Sequence, residues 1–389
     1  MARLLVGNVN SHGHVISSLP LVSALVDAGH SVDYLSVAHF RGPIEATGAT
    51  YLPLDIDPTV VGLRVLRSAR RMLRTLNDEL RSRGNAYDLV LVDGIDAAIA
   101  SLERDLEVPV VGLSAVVLVN DRVLQLLTAR GTGLPAPVRY VLGHPRLRRP
   151  VARLVTRAAF GLRVEDVTTA YGPQSSTLTL VAVAEAFQPA PGDFARTVFL
   201  TPEPRSTCDP TFPLDRLERF DGPVVYASLG TVYNRWTGFF RTVIAALPDA
   251  LIVMSAGSSA QAAAIGPVPD NVLLRPYVPQ TDVLARADLF ITHAGMGSVS
   301  EAISAGVPTI LTPRGADQYL NSARMVELGL GRLLPRRSFT RSGVRDLAAA
   351  VLADDGMRSR LAEMRAAIQS GPTLEDGVRA IELAVSARA

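Results

Sequence analysis

The sequence predicts an α/β protein made of two successive parallel-sheet halves. Short apolar runs alternate along the chain with stretches of helical periodicity. A Pro-rich polar stretch, Thr201-Pro-Glu-Pro-Arg-Ser-Thr-Cys-Asp-Pro-Thr-Phe-Pro, interrupts the alternation near its middle. The pattern then restarts at Val224-Val-Tyr-Ala-Ser-Leu-Gly. A length of 389 residues suits two such halves, at roughly one to two hundred residues per domain.

In the first half, Arg3 to Gly7 reads as a strand, and Leu19 to Ala28 as a helix that stops at Gly29. Strands follow at Ser31 to Val37 and Thr50 to Leu54, then an Arg-rich helical stretch from Val60 to Arg83. Asp88 to Val92 is a continuous apolar strand, Asp96 to Leu106 a helix and Pro109 to Ser114 a strand. Val116 to Tyr171 lacks strand periodicity and reads as helices and loops. Arg146, Arg148, Arg149, Arg153 and Arg157 cluster there, which reads as a solvated helix face, with an acidic-ligand patch as the alternative. Leu178 to Val183 and Val198 to Leu200 close this half.

The second half has strands at Val224 to Ser228, Ala250 to Met254, Val272 to Arg275, Leu289 to Thr292 and Thr309 to Leu311, with helices between them. A last helix runs from Thr373 to Val385. The expected division is a first Rossmann-like, doubly wound domain over residues 1–205, a linker over 206–222 and a second such domain over 223–370. Residues 371–389 form a terminal helix returning to the first domain.

Composition narrows the chemistry. All 39 basic residues are Arg, a bias that GC-rich codon usage explains, and their absence of Lys excludes Schiff-base, pyridoxal-phosphate and Walker-A chemistry. The single cysteine, Cys208, excludes an internal disulfide framework and Cys-x-x-Cys metal or redox sites. A formal charge of +2 gives no case for nucleic-acid binding. No apolar run reaches the length of a membrane span, and the N-terminus reads as a strand, so a cytoplasmic protein is expected.

The most informative segment is Asp288-Leu-Phe-Ile-Thr-His-Ala-Gly-Met-Gly-Ser. An apolar strand runs into His293, Gly295, Gly297 and Ser298, and a helix follows. Ligands of parallel sheets sit beyond the carboxyl ends of strands. Glycines there let backbone N–H groups approach an anion, and the helix directs its positive end at it. His293 and Ser298 add donors, which is the chemistry of a diphosphate site. Glu301, one turn inside the helix, suits a ribose diol or simply favours the helix dipole. Asp317 and Gln318 follow the strand Thr309 to Leu311, where they suit sugar hydroxyls or cap the next helix. Ser228-Leu-Gly-Thr231 places hydroxyls after another strand, and Tyr277, ahead of Val278 and Gln280, offers a ring to a base.

The chain has six His. His12 and His14 lie past the first strand, and His is the natural general base near neutral pH. Asp93 ends the strand Asp88 to Val92, which neighbours the first strand in a doubly wound sheet, so it can orient a His there. Asp96 is a rival partner. No Gly-x-Ser-x-Gly elbow supports a hydrolase. No Gly-x-Gly-x-x-Gly follows the first strand to support a dinucleotide oxidoreductase. His30, at a turn, reads as structural.

Val278-Pro-Gln, His293-Ala-Gly-Met-Gly-Ser, Glu301-Ala, Gly306-Val-Pro, Asp317-Gln and Glu327-Leu-Gly-Leu-Gly together resemble the donor motif of family-1 nucleotide-sugar glycosyltransferases. The text is most similar to the bacterial macrolide-glycosyltransferase group. Gly13-His14, Glu185-Ala-Phe-Gln-Pro and Ser228-Leu-Gly-Thr extend the likeness over nearly the whole chain, while the loops between Asp55 and Ala170 match poorly. The resemblance implies a GT-B fold, with two Rossmann-like domains facing across a cleft. It implies that His293, Gly297 and Ser298 bind the diphosphate, Glu301 the ribose, and Asp317 and Gln318 the sugar. Tyr277 stands where the family usually has Trp against the uracil. The family pattern Gly-His-x-x-Pro selects His14 as base and Asp93 as partner, with Ser17 in place of the Pro.

The implied activity is inverting, metal-independent sugar transfer from a UDP-sugar to a hydroxyl of a hydrophobic natural product: a macrolide, polyketide or phenol. Glu301, Asp317 and Gln318 point to the UDP-hexose branch, with a dTDP-deoxysugar donor, and a helper protein, as the alternative. A catalytically silent auxiliary of a partner transferase is the rival of another class, and the presence of both His14 and Asp93 argues against it. No cofactor beyond the donor substrate is expected, and a homodimer is compatible with this reading.

Overall fold

The computed structural model describes residues 1–54, 65–94, 96–129, 131–160, 164–171, 178–202, 209–230, 235–315 and 317–387. These form two compact units, Met1–Thr128 with Ala136–Pro202 and Ser370–Ala389, and Ala129–Pro135 with Glu203–Gln369.

The first unit holds seven strands: β1 (Arg3–Gly7), β2 (Ser31–Ser36), β3 (Thr50–Pro53), β4 (Leu89–Asp93), β5 (Val110–Ser114), β6 (Thr179–Val181) and β7 (Thr197–Phe199). All pair in parallel, in the order β3-β2-β1-β4-β5-β6-β7. Alternate side chains feed the two faces. Leu4, Val6, Leu89 and Leu91 pack on one face with Leu21, Val22 and Leu25. Leu5, Val90 and Val92 pack on the other with Leu76, Leu80 and Leu102. The terminal helix Leu374–Ser386 opens on a capping box between Thr373 and Asp376 and sinks Val378 and Ile381 into the first of these cores. His30 is structural there: it accepts from the Ala2 N–H and meets Glu382 of that helix at 3.3 Å.

The second sheet is again parallel: β8 (Val224–Ser228), β9 (Leu251–Ser255), β10 (Val272–Arg275), β11 (Leu289–Thr292), β12 (Thr309–Leu311) and β13 (Gly331–Leu333), in the order β10-β9-β8-β11-β12-β13. Strand β13 is not marked by an apolar run, because it is three residues long with Arg332 at its centre. Gly331 lets it lie close to β12, where any β-carbon would strike the Thr309 side chain.

Several expectations are revised. The first helix starts at His12, not Leu19, because its first turn is polar and the Ser11 carbonyl accepts from the His14 and Val15 N–H groups. Residues 209–222, within the expected linker, carry packed side chains. Phe212 and Leu217 are buried with Tyr226 and Phe290, and Leu214–Glu218 is a helix turn whose apolar side chains need that core. The first unit is not continuous over 1–205 either, since Ala129–Pro135 groups with the second, Gly133 lying beside Pro313, Tyr319 and Leu333. The calls on residues 206–208, Cys208 included, lie outside the described residues.

Arg148 also departs from the solvated-face reading. The helix Pro145–Phe160 buries Arg148, Ala152 and Thr156 and exposes Leu147, Val151, Leu154 and Val155. Arg148 donates through Nε and Nη2 to the two oxygens of Asp166 at 2.6 and 2.7 Å. Burial pushes the Asp166 carboxyl up, but the hydrogen bonds from Arg148 and the Val167 N–H, with the charges of Arg148 and Arg149, together outweigh it and hold its pKa below the ordinary value. Among the described residues no helix is long and apolar enough to cross a membrane.

Arg148→Met strips a buried carboxylate of its two-pronged partner, leaving the Val167 N–H and the longer 3.6 Å approach of Arg149, and is expected to cost about 3 kcal/mol in urea unfolding at pH 7, most of it recovered by Arg148→Met with Asp166→Leu. Because the folded pKa of Asp166 is depressed, the pair's stabilisation is full above the unfolded carboxylate pKa and drains as the pH falls through the folded one. The Arg148→Met variant therefore loses less on acidification than the parent.

Candidate active site

In each sheet the strand order reverses once, between β1 and β4 and between β8 and β11. Loops leaving such neighbours diverge to opposite sides and open a crevice at the carboxyl edge.

At the first reversal, Gly7 pairs with Val92, so the loop after β1 and the end of β4 are adjacent. His14 lies in the first turn of the helix His12–Asp27, and Asp93 is the last residue of β4. His14 Nδ1 and Asp93 Oδ2 are 2.5 Å apart. The carboxylate is buried at 5% exposure and the imidazole is 27% exposed, so the acid is sheltered while the ring reaches solvent. With Nδ1–H donating to Asp93, the basic lone pair lies on Nε2. The pair settles His14 rather than His12 as the residue that meets Asp93; Asp96 opens the next helix. His12 lies toward Phe40, ring centroids 6.3 Å apart.

Residues beneath the pair fix it. The Asn8 amide donates to the His14 carbonyl and to Ser18 Oγ, each at 3.3 Å. Ser17 donates its hydroxyl to the same carbonyl at 3.0 Å. Ser18 Oγ and the buried Tyr34 hydroxyl are 2.8 Å apart. Asn8 was not singled out from the sequence; its signal is a polar residue buried directly after an apolar strand.

At the second reversal, Ser228 pairs with Thr292, and His293 follows. The imidazole of His293 is buried against the backbones of Gly230 and Gly295, where a β-carbon on either glycine would lie 2.6 Å from the ring. The space at Gly295 thus serves the histidine before any ligand. Burial lowers the His293 pKa to about 4, partly offset by a hydrogen bond to the Ser228 backbone. The ring is neutral at pH 7.

Beyond that turn the helix Met296–Ala305 begins, with Gly295 at its N-cap and Gly297 and Ser298 half-buried in its first turn. The first N–H groups of a helix have no acceptor within it and suit an anion. Glu301, buried in this helix, accepts from Gln280 Nε2 at 2.5 Å, and Gln280 Oε1 accepts from the Tyr226 hydroxyl at 2.8 Å. Tyr226 is itself buried and stacked on Phe290, ring centroids 4.6 Å apart. Val278 packs on the second core, and Tyr277 is 64% exposed, its ring presented to solvent.

Asp317 does not cap the helix Gln318–Glu327 through its side chain; its carboxylate accepts from Asn321 at 2.8 Å. Asn321 also donates to the Ala294 carbonyl at 3.0 Å, tying this helix to the His293 turn. Gln318 Oε1 accepts from the backbone N–H groups of Arg314 and Gly315 at 2.8 and 3.2 Å. Asn321 and Tyr226 carry no motif and emerge only from packing. Thr231 lies outside the described residues. Among the described residues no group of three His, Cys, Asp or Glu converges as a metal site.

Residues 243–383 match the family of erythromycin biosynthesis protein CIII-like C-terminal domains. The chain is 29% identical to the oleandomycin glycosyltransferase of Streptomyces antibioticus, over 96% of this chain and 88% of that one. It is 27% identical to the NDP-glycosyltransferase YjiC of Bacillus subtilis, over 96% and 95% of the two chains. The crystal structure of CalG4, the calicheamicin glycosyltransferase, superposes with a TM-score of 0.74 at 27% identity, covering 100% of this chain and 99% of that one.

Because burial depresses the folded pKa of His293 below its unfolded value, the unfolded state binds the extra proton first as the pH falls. Stability owed to this residue is full above about pH 6.5 and drains down to about pH 4. His293→Asn is expected to flatten the loss of Tm across that window, as thermal unfolding at stepped pH would show; an unchanged slope would remove the neutral buried imidazole from the account.

Proposed function

We infer the reaction from membership: the chain belongs to the family-1, macrolide-type glycosyltransferases and carries the GT-B fold of two parallel-sheet domains. We propose that it moves a sugar from a UDP-sugar to a hydroxyl of a hydrophobic natural product, a macrolide, polyketide or phenol, with inversion at the anomeric carbon. The observation that carries the proposal is the 2.5 Å pairing of a partly exposed His14 with a buried Asp93 at the strand reversal of the first unit.

His14 Nε2 takes the acceptor hydroxyl proton as that oxygen attacks the anomeric carbon and the bond to the diphosphate breaks. Asp93 stabilises the imidazolium that forms, as an orienting carboxylate does for a general base. On the donor side, the N–H groups at the start of the helix Met296–Ala305 and the Ser298 hydroxyl receive the charge that develops on the leaving diphosphate. Such fixed donors take the place that a divalent ion holds in other transferases. Glu301, held by Gln280, accepts from the ribose hydroxyls; Tyr277 faces the base; Asp317 and the amide of Gln318 hold the sugar.

His14→Ala is expected to lower the transfer rate by about 10²- to 10⁴-fold while leaving nucleotide binding intact. The check is a coupled rate assay beside thermal unfolding with excess UDP, dTDP and NAD. UDP at a hundred times its dissociation constant adds about 2.7 kcal/mol, a shift of a few degrees, to parent and variant alike. A larger shift with dTDP gives the donor to the deoxysugar class, and full activity in His14→Ala removes the base. Added chelator is expected to leave the parent rate unchanged; loss restored by a divalent ion would overturn the metal-free step.

A further inference from the structure

We propose that Arg314, held on the face of Trp236 with Arg336 beside it, binds an oxyanion of the donor: a phosphate oxygen or a carboxylate on the transferred sugar. That the anion belongs to a nucleotide sugar rests on the reading above; that an anion binds here does not.

Arg314 lies in the loop after β12, and Trp236 directly precedes the helix Thr237–Ala246, past the loop leaving β8. The Arg314 guanidinium carbon is 4.3 Å from the indole centroid, and that of Arg336 is 5.7 Å away. Strands β8 and β12 flank β11 on its two sides. The stack therefore joins the loops on either side of the turn that carries His293, on the edge where ligands of such sheets sit. The Gln318 amide oxygen holds the Arg314 and Gly315 backbone N–H groups, so the group assigned to the sugar also fixes the Arg314 loop.

The guanidinium lacks what its burial requires. Its Nη1 is buried and has no hydrogen-bond partner. Burial, and then the neighbouring Arg336 charge, lower its pKa. Among the described residues no carboxylate pairs with it; Asp317, three residues on, is held by Asn321. Arg148 shows the contrast, with both faces of its fork met by Asp166. A planar guanidinium on an indole is fixed in orientation, with its N–H edge free to meet two oxygens in plane. Desolvating that edge without an acceptor is costly, and an arriving oxyanion relieves the cost.

Trp236 is the single tryptophan of the chain, so intrinsic fluorescence reads this site alone. The full chain would be titrated with pyrophosphate, UDP, UDP-glucose and UDP-glucuronate, with emission and calorimetry followed in parallel. We expect an anion-dependent change in emission that Arg314→Met abolishes, with affinity at least about tenfold lower. Arg314→Lys, which keeps the charge without the fork, should lose less and keeps the test readable if the Met variant does not fold. Weakening of all four ligands assigns a phosphate; weakening of UDP-glucuronate alone assigns a sugar carboxylate. Nucleotide binding of equal affinity in parent and variants overturns the proposal and leaves the transferase reading standing. A response to pyrophosphate that depends on Arg314, with no nucleotide binding, overturns the donor reading and keeps the anion site. Silence with every ligand overturns both.

Discussion

One topological constraint organises the molecule: each parallel sheet reverses its strand order once, so one loop pair in each unit opens at the carboxyl edge. Both histidines of the site sit on those reversals, in opposite electrical settings. His14 is partly exposed and meets a buried carboxylate across β1 and β4. His293 is buried across β8 and β11, and that burial, only partly offset by the Ser228 backbone, favours the neutral ring. The same topology thus places one imidazole at the solvent edge against a carboxylate and the other in the interior, where it stays neutral.

Around each reversal the polar side chains are tied into short relays rather than left to solvent. Tyr226, Gln280 and Glu301 form one relay, rooted by stacking on Phe290. Asp317, Asn321 and the Ala294 carbonyl form another, which joins two loops of the carboxyl edge. Asn8, Ser18 and Tyr34 form a third beneath His14. Buried groups held this way lose little further rotamer freedom when a ligand arrives, so their hydrogen bonds act on a preformed shape. Their substitution disturbs placement as well as contact.

Much of this was legible in the residues, and the exceptions have physical reasons. Strands such as Leu89–Asp93 and Leu289–Thr292 read clearly because a strand buried on both faces is a continuous apolar run. The His293-to-Ser298 text read clearly because a strand that turns at once into a helix favours glycine there. Strand β13 did not read, since neighbours rather than composition make it a strand. The start of the first helix was hidden because its opening turn is polar and capped by a backbone carbonyl. Asn321, Tyr226 and Trp236 were hidden because their roles depend on partners distant in sequence. Gly295 read correctly as a close approach, but the group that approaches is His293.

The basic residues make the same point from the side of charge. A chain whose cations are all Arg carries a planar, permanently charged fork at every basic position. In the sequence Arg148 and Arg314 look alike, each close to another Arg or a Gly and neither near an evident partner. The fold separates them. Arg148 turns inward onto Asp166, both partners are satisfied, and the pair fixes how the helix Pro145–Phe160 meets the segment before Val167. Arg314 turns onto an indole with a second cation beside it, and no carboxylate pairs with it among the described residues. Desolvation is a cost in both places, but only the first recovers it within the chain. An enzyme handling anionic substrates gains from leaving the second cost open, because the recovery then appears as binding energy for the ligand that closes it.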